Sequence, residues 1–185
     1  MLSAGSRRRL LLAFLGLLFL GGSASIGADS PISKEYKLKA AFIYNFAGFV
    51  QWPAESFASA DSPIVIGVFG TNPFGAELEM AVNGRKINGR KIVVMLVQTA
   101  AAARQAHLLF VSAAQDSRLD ELIGMLKGIP VLTVGESDSF SRQGGMITFT
   151  RKDDKLRFEI NLDSAQRAGL KISAQLQKLA TEIRK

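Results

Sequence analysis

The chain carries one histidine, His107, and no cysteine among its 185 residues. Without cysteine there are no disulfides, thiolate nucleophiles or thiolate metal sites. A lone histidine cannot build a His-based metal centre, and no carboxylate cluster stands near it at ligand spacing. As a general base it would need an orienting partner brought close by the fold. At the head of the apolar run 108–111 it reads as a structural or surface histidine. Asp153-Asp154 pairs two carboxylates, but Lys152 and Lys155 flank them, which reads as a solvated turn rather than a catalytic dyad. Glu159 alternates with apolar neighbours, where a cross-strand ion pair with a basic residue accounts for it. There is no Gly-x-Ser-x-Gly nucleophile elbow. Gly70-Thr71-Asn72-Pro73-Phe74-Gly75 invites a phosphate-cradle reading, yet it lacks both the Lys-Ser/Thr of a P-loop and the three-glycine dinucleotide spacing. It reads as a tight strand-to-helix turn whose backbone N–H groups could still meet an anion. No catalytic, metal or cofactor constellation follows from these residues.

The elements that must position such groups are legible from periodicity. Ile147 and Phe149, then Leu156, Phe158 and Ile160, alternate with polar residues, and the polar segment 151–155 joins the two runs as a hairpin. Asp163 with Gln166 reads as a capping box, with Gly169 as the stop of a short helix. Ile172, Leu176, Leu179 and Ile183 then recur at helical spacing. Earlier, Ser33 reads as the N-cap of a helix that Trp52-Pro53 closes. Its expected inner stripe is Leu38, Phe42, Phe46 and Phe49, with Ala41 and Asn45 on the same face. Strands are expected over 64–69, 92–97, 107–111 and 131–134, and helices over 76–82, 100–104 and 119–126. Asn83-Gly84 and Asn88-Gly89 read as turns around a basic cluster of Arg85, Lys86, Arg90 and Lys91, taken as a solvated loop rather than a patch for an acidic partner.

Strands alternating with short helices imply an α/β three-layer sandwich. Its mixed sheet is expected to be mostly parallel, with right-handed crossovers, helices on both faces and a C-terminal antiparallel hairpin. Such sheets bind ligands beyond the carboxyl ends of their strands. This singles out Asn72, Ser112 and Glu136 as ligand or partner candidates. Asn45 joins them as an amide inside an apolar stripe, with a core amide bonded to backbone as the competing reading. Trp52 joins them as an aromatic partner anchor, with a core role as the competing reading.

The N-terminus reads as an address rather than fold. Arg7-Arg8-Arg9 precedes the apolar run 10–20 and a small-residue stretch over 21–28. This is the pattern of a cleaved signal peptide, with cleavage expected after Ala28 and Ala24 or Ser25 as alternatives. The apolar run is short for the competing reading of a retained anchor, which needs about 20 residues. Ser6-Arg7-Arg8 also resembles a twin-arginine signal, though the strongly apolar run favours ordinary export. Residues 29–185 are then expected to form one periplasmic domain, large enough to bury about 70% of its unfolded surface. The net charge is +7 for the whole chain. Three of the 23 basic residues and none of the 16 acidic ones fall in the export segment, leaving +4. That mild excess in an exported protein argues against nucleic acid as a partner.

Several ordered segments resemble the YfiR family of periplasmic regulators. They are the stretch from Tyr36 to Phe46, then Phe49-Val50-Gln51-Trp52-Pro53, Pro73-Phe74-Gly75, Leu108 to Ser112, Pro130 to Gly135, Gly144-Gly145-Met146-Ile147, and Phe158 to Leu179. The resemblance implies an α/β sandwich of about six strands and a binding protein, not an enzyme. It implies a partner in the periplasmic domain of a membrane signalling protein, a diguanylate cyclase in the type member, which is thereby repressed. An outer-membrane lipoprotein draws that repressor away, raising cyclic-di-GMP and biofilm formation. Some family members carry cysteine pairs, one beside the third strand, where this chain has Ala106-His107; disulfide-based redox control is excluded here. A homodimer is compatible with this reading, and no cofactor is implied. Two other readings stand beside it. A small-ligand sensor would show a deep polar pocket at Asn72, Ser112 and Glu136. A hydrolase would show acid–base groups converging on His107.

Overall fold

A computed structural model of the chain describes residues 31–185. The export segment read at 1–28 lies outside them. The nearly continuous apolar run Ile64–Phe69 forms β2, buried on both faces as a central parallel strand requires. It is flanked by β4 (Arg90–Val97) and β5 (Leu108–Val111), both parallel to it. Then come β6 (Leu132–Gly135) and β7 (Ile147–Lys152), also parallel, and β8 (Lys155–Asn161), antiparallel to β7. Two short edge strands complete the sheet. β3 (Lys86–Ile87) folds back on β4, and β10 (Glu182–Arg184) runs parallel to β8. The order is β10-β8-β7-β6-β5-β2-β4-β3, eight strands rather than about six.

Both additional strands have local causes. Asn88 and Gly89 hold φ of +50° and +81°, a two-residue hairpin turn that returns the chain from β3 into β4. At the other edge, the helix expected through Ile183 is cut short. α7 (Ala174–Leu179) is capped by the Ser173 hydroxyl, which accepts from the Leu176 N–H. Ala180 then turns extended, and the Thr181 N–H bonds to the Phe158 carbonyl, steering Ile183 into β10. Ile172 belongs to a separate pairing, in which β9 (Lys171–Ile172) lies antiparallel to β1 (Val50–Gln51).

Helices cover both faces. On one, α1 (Pro31–Gly48) and α2 (Glu77–Val82) bury Ile43, Phe46, Ala47 and Leu78 against Ile66, Val68, Phe110 and Val134. On the other, α3 (Ala100–Ala103), α4 (Leu119–Leu126) and α5 (Asp138–Arg142) bury Ala103, Leu119, Leu122 and Phe140 against Phe69, Leu109 and Val111. The Phe140 ring lies where a Cβ on Gly135 or Gly145 would stand, 2.4 and 2.0 Å from its nearest ring atoms. Both positions must therefore be glycine for this ring to pack.

Three local expectations are corrected. Pro31 begins α1, so Ser33 lies inside its first turn and is not its cap. The buried stripe of α1 is Lys39, Ala40, Ile43, Phe46 and Ala47, while Leu38, Ala41 and Asn45 face outward. α6 (Leu162–Arg167) is capped by Asn161, whose side chain accepts from the Ser164 N–H, and Asp163 instead pairs with Arg167. Asn161 wins because it stands one residue before the first helical turn, where a cap must be.

Candidate functional site

The rotation of α1 carries Lys39 inward with Ala40, Ile43, Phe46 and Ala47, and leaves it 4% exposed. A lysine is buried only when its charge is matched. Glu35, one turn earlier, lies 2.7 Å from its Nζ, and Glu136 lies 2.5 Å away on the far side. Glu136 follows β6 directly, at the carboxyl edge of the sheet. Its Oε1 also accepts from the Tyr36 hydroxyl at 3.0 Å and from the Ala113 N–H at 3.1 Å. Ala113 opens the turn after β5, so one carboxylate joins α1 to two strand ends. The Lys39 Nζ also sits 4.6 Å from the centroid of the Tyr36 ring. Arg151 at the end of β7 closes the chain of charges on Glu35.

The electrostatics follow from this packing. The hydrogen bond from Lys39 holds Glu35 below the usual carboxylate range, opposed in part by burial. Burial pushes the Tyr36 phenol up, and the Glu136 carboxylate adds to the shift, so Tyr36 remains a donor. Both oxygens of Glu136 are occupied, and the Lys39 ammonium is held between two carboxylates. Within this cluster every charged group among the described residues has a partner. This arrangement anchors a helix to the sheet.

The other sequence candidates are not brought together. Ser112 directly follows β5 and precedes Ala113, whose N–H bonds to Glu136. Asn72 spends its side chain on its own turn: its Oδ1 accepts from the Phe74 N–H and its Nδ2 donates to the Gly75 carbonyl. Asn45, expected among core residues, is exposed on α1. Trp52 is half-buried at the opposite end of the sheet, its Nε1 donating to the His107 carbonyl at 3.0 Å. His107 is structural. Its Nδ1 accepts from the Val65 N–H, which leaves the ring proton on Nε2, bonded to the Ser56 carbonyl. Phe57 stacks on the ring at 4.5 Å. Burial pushes its pKa down, partly opposed by the Ser56 carbonyl. Both nitrogens are committed to backbone, so a hydrolase built on His107 has no base to use.

Sequence reasoning missed Lys39, Tyr36 and Glu35. The visible signal was the Glu35–Lys39 spacing of four residues, which places the pair on one helix face. Nothing local indicated that this face points inward.

A family model described as YfiR/HmsC-like (DUF4154) matches residues 36–181. The chain belongs to the YfiR/HmsC-like family. The match begins at Tyr36 and so takes in the Lys39–Glu136 contact, and it ends just before β10. The fold of this YfiR/HmsC-like chain is similar to that of a conserved domain protein from Vibrio cholerae O1 biovar El Tor strain N16961. The TM-score is 0.52 at 14% identity, covering 84% of this chain and 60% of the other. It is also similar to the ABC domain from Streptococcus pneumonia in complex with L-Trp. There the TM-score is 0.52 at 12% identity, covering 80% of this chain and 60% of the other. At these identities the likeness is one of fold. The chain spans 60% of the length of each of these solved chains.

Proposed function

We propose that this protein is an exported regulator that binds the periplasmic domain of a membrane diguanylate cyclase and holds it inactive. Cyclic-di-GMP output, and biofilm formation with it, then falls. Membership of the YfiR/HmsC-like family, a regulatory rather than a catalytic family, supports this reading. The observation that carries it is the closure of the sheet's carboxyl edge by Lys39, Glu136 and Tyr36. That edge is where an α/β sheet would hold a substrate, and here its polar groups are consumed by one another.

A regulator of this kind needs exposed apolar anchors. Met80, Val93 and Leu96 are 58%, 41% and 53% exposed. Met80 and Val93 line one groove, and Leu96 lies further along the same strand as Val93. β3 covers β4 only at Arg90 and Lys91, so from Ile92 onward β4 has β2 on one side and, among the described residues, no paired strand on the other. A strand of the cyclase domain can add to that edge by main-chain hydrogen bonds, with Val93 on one face of the sheet and Leu96 on the other as side-chain anchors. An outer-membrane lipoprotein competing for the same surface would release the cyclase. Moving a cyclase from 1:99 to 99:1 inactive requires about 5.5 kcal/mol of differential affinity.

Deleting the gene is expected to raise cellular cyclic-di-GMP. Wild-type protein supplied in trans restores the low level, and a folded Val93→Asp/Leu96→Asp variant does not. Unchanged cyclic-di-GMP on deletion overturns the regulatory reading; full complementation by the double variant moves the surface elsewhere.

A further inference from the structure

A cleft of about 480 Å³ opens away from the carboxyl edge, where the sheet splits. β6 and β7 share only two register pairs, Val134 with Ile147 and Gly135 with Thr148. The first residues of β6, Leu132 and Thr133, thus have β5 on one side and no paired strand on the other. The chain enters β7 through Gly144 at φ +98°, and the Met146 N–H bonds to the Thr133 hydroxyl oxygen at 3.2 Å. The space left between this segment, the end of α4 and α6 is the cleft.

Its lining has two chemistries. Ile123 and Leu126 of α4 and Met146 give it apolar wall. The charged groups it presents are both cations. Lys127 is exposed and makes no ion pair among the described residues; Arg167 pairs with Asp163, which does not line the cleft, and donates to the Ser164 hydroxyl at 3.4 Å. No carboxylate lines it. Thr133 is 2% exposed, and its hydroxyl accepts from Met146 while its proton has no acceptor among the described residues. A buried hydroxyl proton left without an acceptor is costly. Aliphatic wall beside a hydroxyl proton without an acceptor, the unpaired Lys127 and the Arg167 guanidinium selects an anionic head joined to an aliphatic body. No aromatic ring lines the cleft to stack on a flat ligand.

We propose that this cleft binds a medium-chain carboxylate, its head group held by Lys127, Arg167 and the Thr133 hydroxyl and its chain lying on Ile123, Leu126 and Met146. The site lies apart from the β4 edge, and the inference does not depend on the cyclase. It is tested by following backbone amide shifts of residues 29–185 by NMR during titration with octanoate, and separately with octan-1-ol, the neutral analogue. The expected result is saturable shifts at Gly128, Thr133, Gly144 and Met146 with octanoate, and binding of octan-1-ol weaker by about tenfold or more. The Lys127→Gln/Arg167→Gln variant changes two exposed side chains and keeps the native spectrum. It is expected to lose about tenfold in octanoate affinity and none for octan-1-ol. No saturable shift at millimolar octanoate, shifts centred elsewhere, equal affinity for the two probes, or an unaffected double variant would each overturn it.

Discussion

Replacing Lys39 by Met tests whether the buried ion pair holds α1 to the sheet. The Lys39 side chain is 5% exposed and the Glu136 side chain 9% exposed, with the ammonium 2.5 Å from one carboxylate and 2.7 Å from the other. At an effective dielectric of about 20, one such contact is worth about 6 kcal/mol before desolvation. Methionine fills similar volume, so little packing is lost. Glu136 is left buried with only the Tyr36 hydroxyl and the Ala113 N–H as partners. Stranding one charge of a buried pair costs about 3–5 kcal/mol. Glu35 is less affected, because it is partly exposed and keeps Arg151. Urea unfolding of Lys39→Met is therefore expected to show an unfolding free energy lowered by that amount, seen as a lower midpoint with an unchanged slope. Adding Glu136→Gln removes the stranded charge and is expected to recover most of the loss, a strongly non-additive cycle. A single variant within about 1 kcal/mol of wild type, or a double variant with simply additive losses, would refute the assignment.

Other outcomes follow from the same geometry. Phe158→Ala is expected to cost about 3–5 kcal/mol, because its ring packs edge-on to Phe46 at 5.0 Å in the core; an unchanged urea midpoint would reverse the strand faces. His107 is held neutral by burial, with its pKa below the unfolded value of 6.5. The unfolded chain therefore takes up its proton first, and stability is full above pH 6.5 and falls as pH drops toward the depressed folded value. Glu35 is depressed below 4.5, so its contribution is present above that pH and is lost only as pH falls further. Thermal unfolding of wild type and His107→Gln between these two values separates them, and parallel pH profiles would contradict the histidine's role. Mass spectrometry of the exported protein is expected to find an N-terminus at Asp29; a species retaining residues 10–20 would exclude cleavage.

The parts of the fold legible in the sequence are those whose signal is local. β2 and α4 take the boundaries their apolar patterns predict. The C-terminal hairpin forms where expected, but its strands run on through Lys152 and from Lys155, so the turn is only Asp153-Asp154, with both φ values near +50°. Asp tolerates that left-handed region, so its presence at the turn was informative. What could not be read depends on distant partners. The inner face of α1 includes Lys39 because Glu136, 97 residues away, matches its charge, and a helical wheel ranks lysine as an outward residue. β10 is three residues long and exists because β8 offers it an edge. Ile172, Leu176, Leu179 and Ile183 keep a helical spacing by coincidence, across a strand, a helix and another strand. Of the candidate site, Glu136 was legible from its position after a parallel strand. Its role was not, because sequence shows where a carboxylate stands but not that a lysine and a tyrosine already occupy it.

The most direct test of the regulatory account is a calorimetric titration of residues 29–185 into the purified periplasmic domain of a membrane diguanylate cyclase from the same organism. The account predicts saturable, stoichiometric binding that is lost in the Val93→Asp/Leu96→Asp variant and retained when Lys127 and Arg167 are both changed to Gln. No measurable heat, with both domains shown to be folded, would contradict it.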